Sequence, residues 1–188
     1  MAALVSKIVQ RSDRIRAKRL LELLKPHLSG RTLDVGCWNG DITQHLEPGS
    51  IGIDVAMPPK PATPVTLFDG KNIPFGDREF DTVLCSTALH HAEDQDSLVE
   101  EMKRVGKRVV ILEDDVDGLL HRLSVIWLHK IGGPMAGIPF YSAGFRSSQE
   151  WRELFSKHGL KVVFYRRYPG IQSGWPLLRH HLFVLEPT

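Results

Sequence analysis

In the stretch TLDVGCWNGD, residues 32–41, an acidic residue, Asp34, stands inside a short apolar run, and Gly36 and Gly40 punctuate the loop that follows. Glycine accepts positive φ and has no Cβ, so a loop of this kind lets backbone approach a ligand closely. A second apolar run, SIGIDV, ends in Asp54, 20 residues beyond Asp34. A carboxylate at that separation is placed to accept both hydroxyls of a ribose. Asp69 closes a third run, and a fourth ends in CSTALHH, bringing Cys85, Ser86, His90 and His91 to one place. An imidazole there can take a proton from a bound molecule. The plainer role is a cap on the next helix. The acids of EDDVD, residues 113–117, have the oxygen chemistry of a Mg²⁺ site. The fourth run supplies no carboxylate to complete one, however, so the expectation is no metal and a set of solvated acids capping the helix after it. Cys37 and Cys85 show neither a disulfide framework nor metal-ligand spacing and read as reduced packing residues.

These residues need a scaffold, and the chain supplies signals for one. RTLDVG, SIGIDV, PVTLF, FDTVLCS and KRVVILE are short, apolar and rich in Val, Ile and Leu, as strands buried on both faces should be. Residues 32–41 continue into what looks like the first turn of a helix. EDQDSLVEEMKRVG puts Leu98, Met102 and Val105 on one helical face, with acids at its start and bases at its end. SSQEWRELFSKHG opens on Ser147 and Glu150 at capping-box spacing and closes on Gly159. LKVVFYRRY and HHLFVLEP read as two further strands with no helix between them. AMPPKPATP, with four prolines in nine residues, is hostile to a crossover helix and predicts a loop or a single turn. The pattern predicts one α/β domain over residues 1–188: a Rossmann-like, doubly wound, mostly parallel seven-stranded sheet with a C-terminal antiparallel hairpin. Ligands of such sheets bind beyond the carboxyl ends of the strands, where the chemistry-bearing residues stand.

A chain of 188 residues with 42% hydrophobic content can bury a sizeable core. The net charge of +2, from 24 basic and 22 acidic residues, is too balanced to argue for nucleic acid. No apolar run reaches the roughly 18 to 20 residues of a bilayer span, and a cytoplasmic protein is expected. The first 19 residues are nevertheless basic, with Asp13 their only acid. They suit an organelle-targeting peptide or a peripheral membrane contact. The plainer reading is one amphipathic helix that packs on the domain and ends near Pro26, giving a helical cover over residues 1–28.

LDVGCWNG, GIDV, FDGKNIPFGDREFDTVLCSTALHHAED and LVEEMKRVGKRVVILE, in this order and at these spacings, resemble the class I S-adenosylmethionine (SAM)-dependent methyltransferases, in particular the small-molecule group whose first motif reads LDVGCG. The resemblance implies that Asp34, Gly36, Cys37, Trp38 and Gly40 surround the methionine part of SAM. It further implies that Asp54 and Val55 hold the ribose, that Asp69 and Gly70 meet the adenine, and that Cys85 and Ser86 line the pocket with backbone. His91 and His90 then stand above the methyl group. Trp38 departs from the motif, where a glycine is usual; it is expected either to keep an ordinary negative φ and point away from SAM or to narrow the pocket. Asp81 reads as structural.

The longest insertion, residues 118–145, would cover the pocket. It opens as an amphipathic helix with Leu119, Leu120, Leu123, Ile126 and Trp127, and most of its leucines are expected to pack over the sheet edge. It then becomes loop-like at Gly132, Gly133 and Pro134 and ends with Phe140, Tyr141 and Phe145. A glycine-hinged aromatic segment beside the strand ends is a candidate lid, with Tyr141 at the acceptor. The expected partner is therefore a small, apolar or aromatic methyl acceptor rather than nucleic acid. A nucleotide-binding protein without methyl transfer, or an NAD enzyme, shares the sheet and the ribose acid. An RNA methyltransferase would use the basic N-terminus but lacks a target-base motif.

Overall fold

The computed structural model describes residues 15–135, 144–170 and 178–188. Seven strands are β1 (Thr32–Val35), β2 (Ile51–Asp54), β3 (Val65–Leu67), β4 (Thr82–Ser86), β5 (Val109–Asp114), β6 (Leu160–Tyr168) and β7 (His180–Pro187). They form one sheet in the order β3-β2-β1-β4-β5-β7-β6. β1 to β5 are parallel neighbours, and β7 runs antiparallel to both β5 and β6. Strand order reverses between β1 and β4, which places the ligand crevice of an open α/β sheet there.

Side chains alternate across each strand, and here both faces are apolar. Val83 and Cys85 of β4, Val109 and Ile111 of β5, and Phe183 and Leu185 of β7 pack with Leu98, Met102 and Val105 of helix α2 (Gln95–Val105) and with Trp151 and Phe155 of helix α4 (Ser148–Lys157). Leu84, Val110, Leu112, Leu182 and Val184 face the other way, onto Leu20 and Leu24. Those two leucines belong to the helix of residues 15–24, here α1, which ends in a tight turn at Lys25–His27 around Pro26. Burying each such leucine stabilises the fold by roughly 1.5 to 3 kcal/mol, so this short helix is a structural layer of the sheet.

The local signals act as written. Ser147 Oγ accepts from the Glu150 amide while Glu150 Oε2 accepts from the Ser147 amide at 2.6 Å, a complete capping box. Gly159 takes the helix-stopping φ of +65°. The proline-rich connection between β2 and β3 holds no helix. After the glycine loop of β1 the helical start stops at one turn, Thr43–His45. Asp81 is structural: Oδ2 accepts from the Arg31 amide at 2.9 Å and Oδ1 pairs with Lys107.

The insertion departs from expectation. Helix α3 runs from Leu119 to Met135, through Gly132 and Gly133. Each glycine costs a helix only about 1 kcal/mol, and Pro134 comes too late to stop the turns before it. Leu119, Leu120 and Leu123 do not pack over the sheet edge either. Val125 and the half-buried Ile126 join Val116, Phe145 and Leu178, whereas Leu119, Leu120, Leu123 and Trp127 are 73%, 78%, 54% and 62% exposed. Phe140 and Tyr141 lie outside the described residues. Among the described residues no helix is long and apolar enough to cross a membrane.

Candidate functional site

A cavity of about 570 Å³ opens over the carboxyl ends of β1, β2, β3 and β4. Its floor is the glycine loop. Gly36 has φ +71°, and a Cβ there would collide with Ala88 Cβ in the loop after β4. The two loops close on each other only because position 36 has no side chain. Gly40 does not line the cavity. It turns the loop from behind at φ +75°, and a Cβ there would come within 2.6 Å of Thr63 Cγ2.

Trp38 has φ +48° and lines the cavity, which corrects the expectation of a negative φ. The loop geometry is fixed by its hydrogen bonds: Asp54 Oδ2 accepts from the Trp38 amide at 2.8 Å, and the Gly40 amide donates to Cys37 O at 2.9 Å. Trp38 must bend to the geometry that the family's glycine would adopt without strain. Thr87, after β4, is also left-handed at φ +52°, with its amide on Leu112 O at 2.6 Å. Two of the three described non-glycine residues with positive φ thus border one cavity, a concentration of strain that marks functional loops.

The acids behave differently from one another. Asp34 is 2% exposed, and its Oδ2 accepts from Thr43 Oγ1 at 2.6 Å. Burial pushes its pKa up to about 6; the Thr43 hydrogen bond opposes the rise and the charge of Asp54 adds to it. Asp54 is 8% exposed and also accepts from the Ala56 amide, through Oδ1 at 3.2 Å. Asp69 stands in the open at the end of β3. Its Oδ1 accepts from the Lys71 and Asn72 amides and its Oδ2 from the Asn72 side chain, holding its pKa down to about 2. Val55, Gly70, Cys85 and Ser86 complete this side of the lining. Both thiols are free and buried. Burial pushes the Cys37 and Cys85 thiols far up, with nearby carboxylates adding to the effect, so neither is a nucleophile. A Cβ on Gly52 would meet Cys37 Sγ at 2.8 Å, so the thiol fills the space over β2.

The histidine pair separates. His91 lines the cavity, whereas His90 is 1% exposed and faces away from it. His90 Nδ1 lies 2.5 Å from Glu113 Oε2, and Glu113 Oε1 accepts from the Leu89 amide at 2.8 Å. Burial opposes charging of His90, but the charge and hydrogen bond of Glu113 outweigh it, and the pKa is raised. Phe145, the end of the insertion, stacks on His90 at 4.6 Å between ring centroids. His90 is therefore a support beneath the turn that carries His91, which corrects its expected place above the methyl group.

The acids of residues 113–117, expected from the sequence to be solvated, are instead largely buried and paired. Asp114 Oδ1 lies 3.1 Å from His180 Nε2, and Asp115 Oδ1 lies 3.2 Å from His181 Nε2. Asp115 also meets Arg167, whose Nε donates at 2.5 Å. Asp117 accepts from the amide and hydroxyl of Ser148, at the start of α4 rather than of α3. Asp115, Asp117 and His181 group closely enough to suit an ion, but Arg167 and Ser148 already satisfy the carboxylates. Sequence reading missed Arg16, which lines the cavity from α1 and donates through Nη2 to Thr87 Oγ1 at 3.2 Å. Its only signal was the basic helix, which does not say which arginine turns inward.

The family model of a methyltransferase domain matches residues 33–112, the span from β1 to β5. A protein of Methanocaldococcus jannaschii, MJ1123, is 31% identical over 156 residues, covering 78% of this chain and 72% of its own. The ubiquinone/menaquinone biosynthesis C-methyltransferase UbiE of Burkholderia mallei is 29% identical over 104 residues, covering 45% of this chain and 43% of its own. A solved structure from Thermotoga maritima, described as a SAM-dependent methyltransferase and possible histamine N-methyltransferase, superposes with a TM-score of 0.71 at 19% identity over 100% of both chains. Glycine loop, the acid that ends β2, strand order and family match agree: the chain belongs to the class I S-adenosylmethionine-dependent methyltransferases, with S-adenosylmethionine as its cofactor.

Proposed function

We propose that the protein transfers the methyl group of SAM to a small, apolar or aromatic acceptor. The observation that carries this is the composition of the cavity. Its β1–β3 side is lined by Asp34, Asp54 and Asp69, while towards β4 and α1 the wall includes Ala17, Leu20, Ala88, Ala92 and Leu98, with Arg16, Ser86, Thr87, His91 and Glu93 as its polar groups. The likeness to a C-methyltransferase of quinone biosynthesis supports an acceptor of apolar character.

SAM supplies a methyl group already activated on its sulfonium, so the protein's task is to align an acceptor and exclude water. Asp54 holds the ribose diol and Asp69 the adenine amino group, with Val55 and Gly70 beside them. Asp34 and the loop of Gly36, Cys37 and Trp38 surround the methionine end, Gly40 turning that loop from behind. Backbone of Cys85 and Ser86 closes the floor. Where the acceptor must lose a proton, His91 takes it, and His90 with Glu113 fixes the turn that presents His91. Tyr141 remains an expected acceptor contact outside the described residues.

The test is calorimetry with SAM and with NAD, followed by SAM-dependent methylation of a metabolite extract and mass spectrometry for products heavier by one methyl group. Preference for NAD sinks the cofactor roles. Labelling confined to added RNA sinks the small acceptor.

A further inference from the structure

We infer that the exposed face of α3 docks on an anionic lipid bilayer. Leu119, Leu120, Leu123 and Trp127 are each more than half exposed, and at 3.6 residues per turn they fall within an arc of roughly 100°. Val125, on the opposite side, is 1% exposed and belongs to the cluster with Phe145 and Leu178. Among its described side chains the helix packs through Val125 and Ile126 and presents Leu119, Leu120, Leu123 and Trp127 outward, the reverse of an ordinary surface helix. A tryptophan beside leucines on a basic helix is the composition of an interfacial segment.

Charge selects the occupant. From Gly118 to Gln149 the sequence has no Asp or Glu, while exposed Arg122 and Lys130 lie on α3 itself. Glu150, the next acid, caps α4 with Ser147 and interacts with Arg122, which leaves Lys130 exposed on the same arc as the leucines. A second copy of this chain seated on the same face would bring Lys130 against its own equivalent with no acid in residues 118–149 to neutralise it. Anionic lipid head groups supply that neutralisation. The placement is also productive: α3 leaves β5 at the same end of the sheet where the cavity opens, so docking would turn that end of the sheet towards molecules dissolved in the bilayer.

The experiment is co-sedimentation of the full chain with vesicles of equal phosphatidylglycerol and phosphatidylcholine, compared with phosphatidylcholine alone. Binding to the anionic vesicles is expected to be tighter by roughly tenfold or more and to weaken with salt. The double substitution Leu120→Ser/Leu123→Ser should lower that binding by about tenfold or more. Neither leucine lines the cavity, so circular dichroism and SAM affinity should be unchanged, a readout that does not depend on the acceptor. Lys130→Glu should weaken binding to the anionic vesicles alone. Failure to sediment with anionic vesicles at low salt overturns the inference, as does undiminished binding by the double variant. Light scattering that shows a dimer dissolved by the same two substitutions, with no vesicle binding, assigns the face to a second copy and overturns it too.

Discussion

Asp54 organises its surroundings before any ligand arrives. Its two carboxylate oxygens accept from the amides of Trp38 and Ala56, so the group proposed to hold the ribose also ties the glycine loop to β2. Asp54→Asn keeps the shape, removes the charge and leaves one acceptor for the two amides. Hydrogen bonds to charged groups contribute about 1.5 to 3 kcal/mol, so SAM affinity should fall by at least tenfold while circular dichroism is unchanged. Equal affinity in a folded variant would remove Asp54 from the site. Asp34 offers a test of a different kind, because its pKa is raised from 3.8 to about 6. Between those values the folded state holds a proton that the unfolded state has released, so this residue costs stability progressively as pH rises through the window and costs its full amount above about pH 6. Asn at position 34 removes the titration. Thermal unfolding should show the variant gaining on the wild type from about pH 4 to 6, by a total on the order of 3 kcal/mol, and holding a constant margin above. A margin that does not change with pH would mean that Asp34 titrates normally.

At the scale of elements, what depends on near neighbours was legible and what depends on distant ones was not. The capping box of α4 is spelled by Ser147 and Glu150, three residues apart, and forms as spelled. The apolar faces of α2 and of the strands follow from periodicity alone. Trp38 was misread because the residue's own preference for negative φ was weighed without the hydrogen bonds that set the loop. The acids of residues 113–117 were misread for a similar reason. Their histidine partners arrive from the turn after β4 and from β7, and only the register of β5 against β7 brings His180 opposite Asp114. Glu113→Gln examines one such pairing. The amide can still accept from Leu89, but His90 loses its countercharge. A histidine whose folded pKa is raised contributes stability below its unfolded value of 6.5 and loses it as pH rises through the folded value. The deficit of this variant in chemical denaturation should therefore be largest below pH 6.5 and shrink at alkaline pH. Breaking a buried charged pair costs up to about 3 to 5 kcal/mol. A deficit that is the same at all pH values would make Glu113 a neutral hydrogen-bond acceptor only.

For the molecule as a whole, the sheet and the position of the site follow from the alternation of apolar runs with loops that carry glycine and acid. The number of helices does not: the turn after β1 ends early and the connections around β3 hold none, so α1, α2 and α4 do most of the covering. One consequence of the strand order concerns how the chain is made. β7 lies between β5 and β6, so β6, although synthesised first, has no strand to pair with until residues 180–187 exist. Partners separated by some 70 residues of sequence must find each other late, a slow and exposed step. On the ribosome, a chain arrested before β7 emerges should therefore keep α4 and β6 open to protease although β1 to β5 are complete, and extension past residue 187 should protect both together. Substitutions that weaken the β5–β7 pairing would then act first on the yield of folded protein made in the cell, before any effect on methyl transfer is felt.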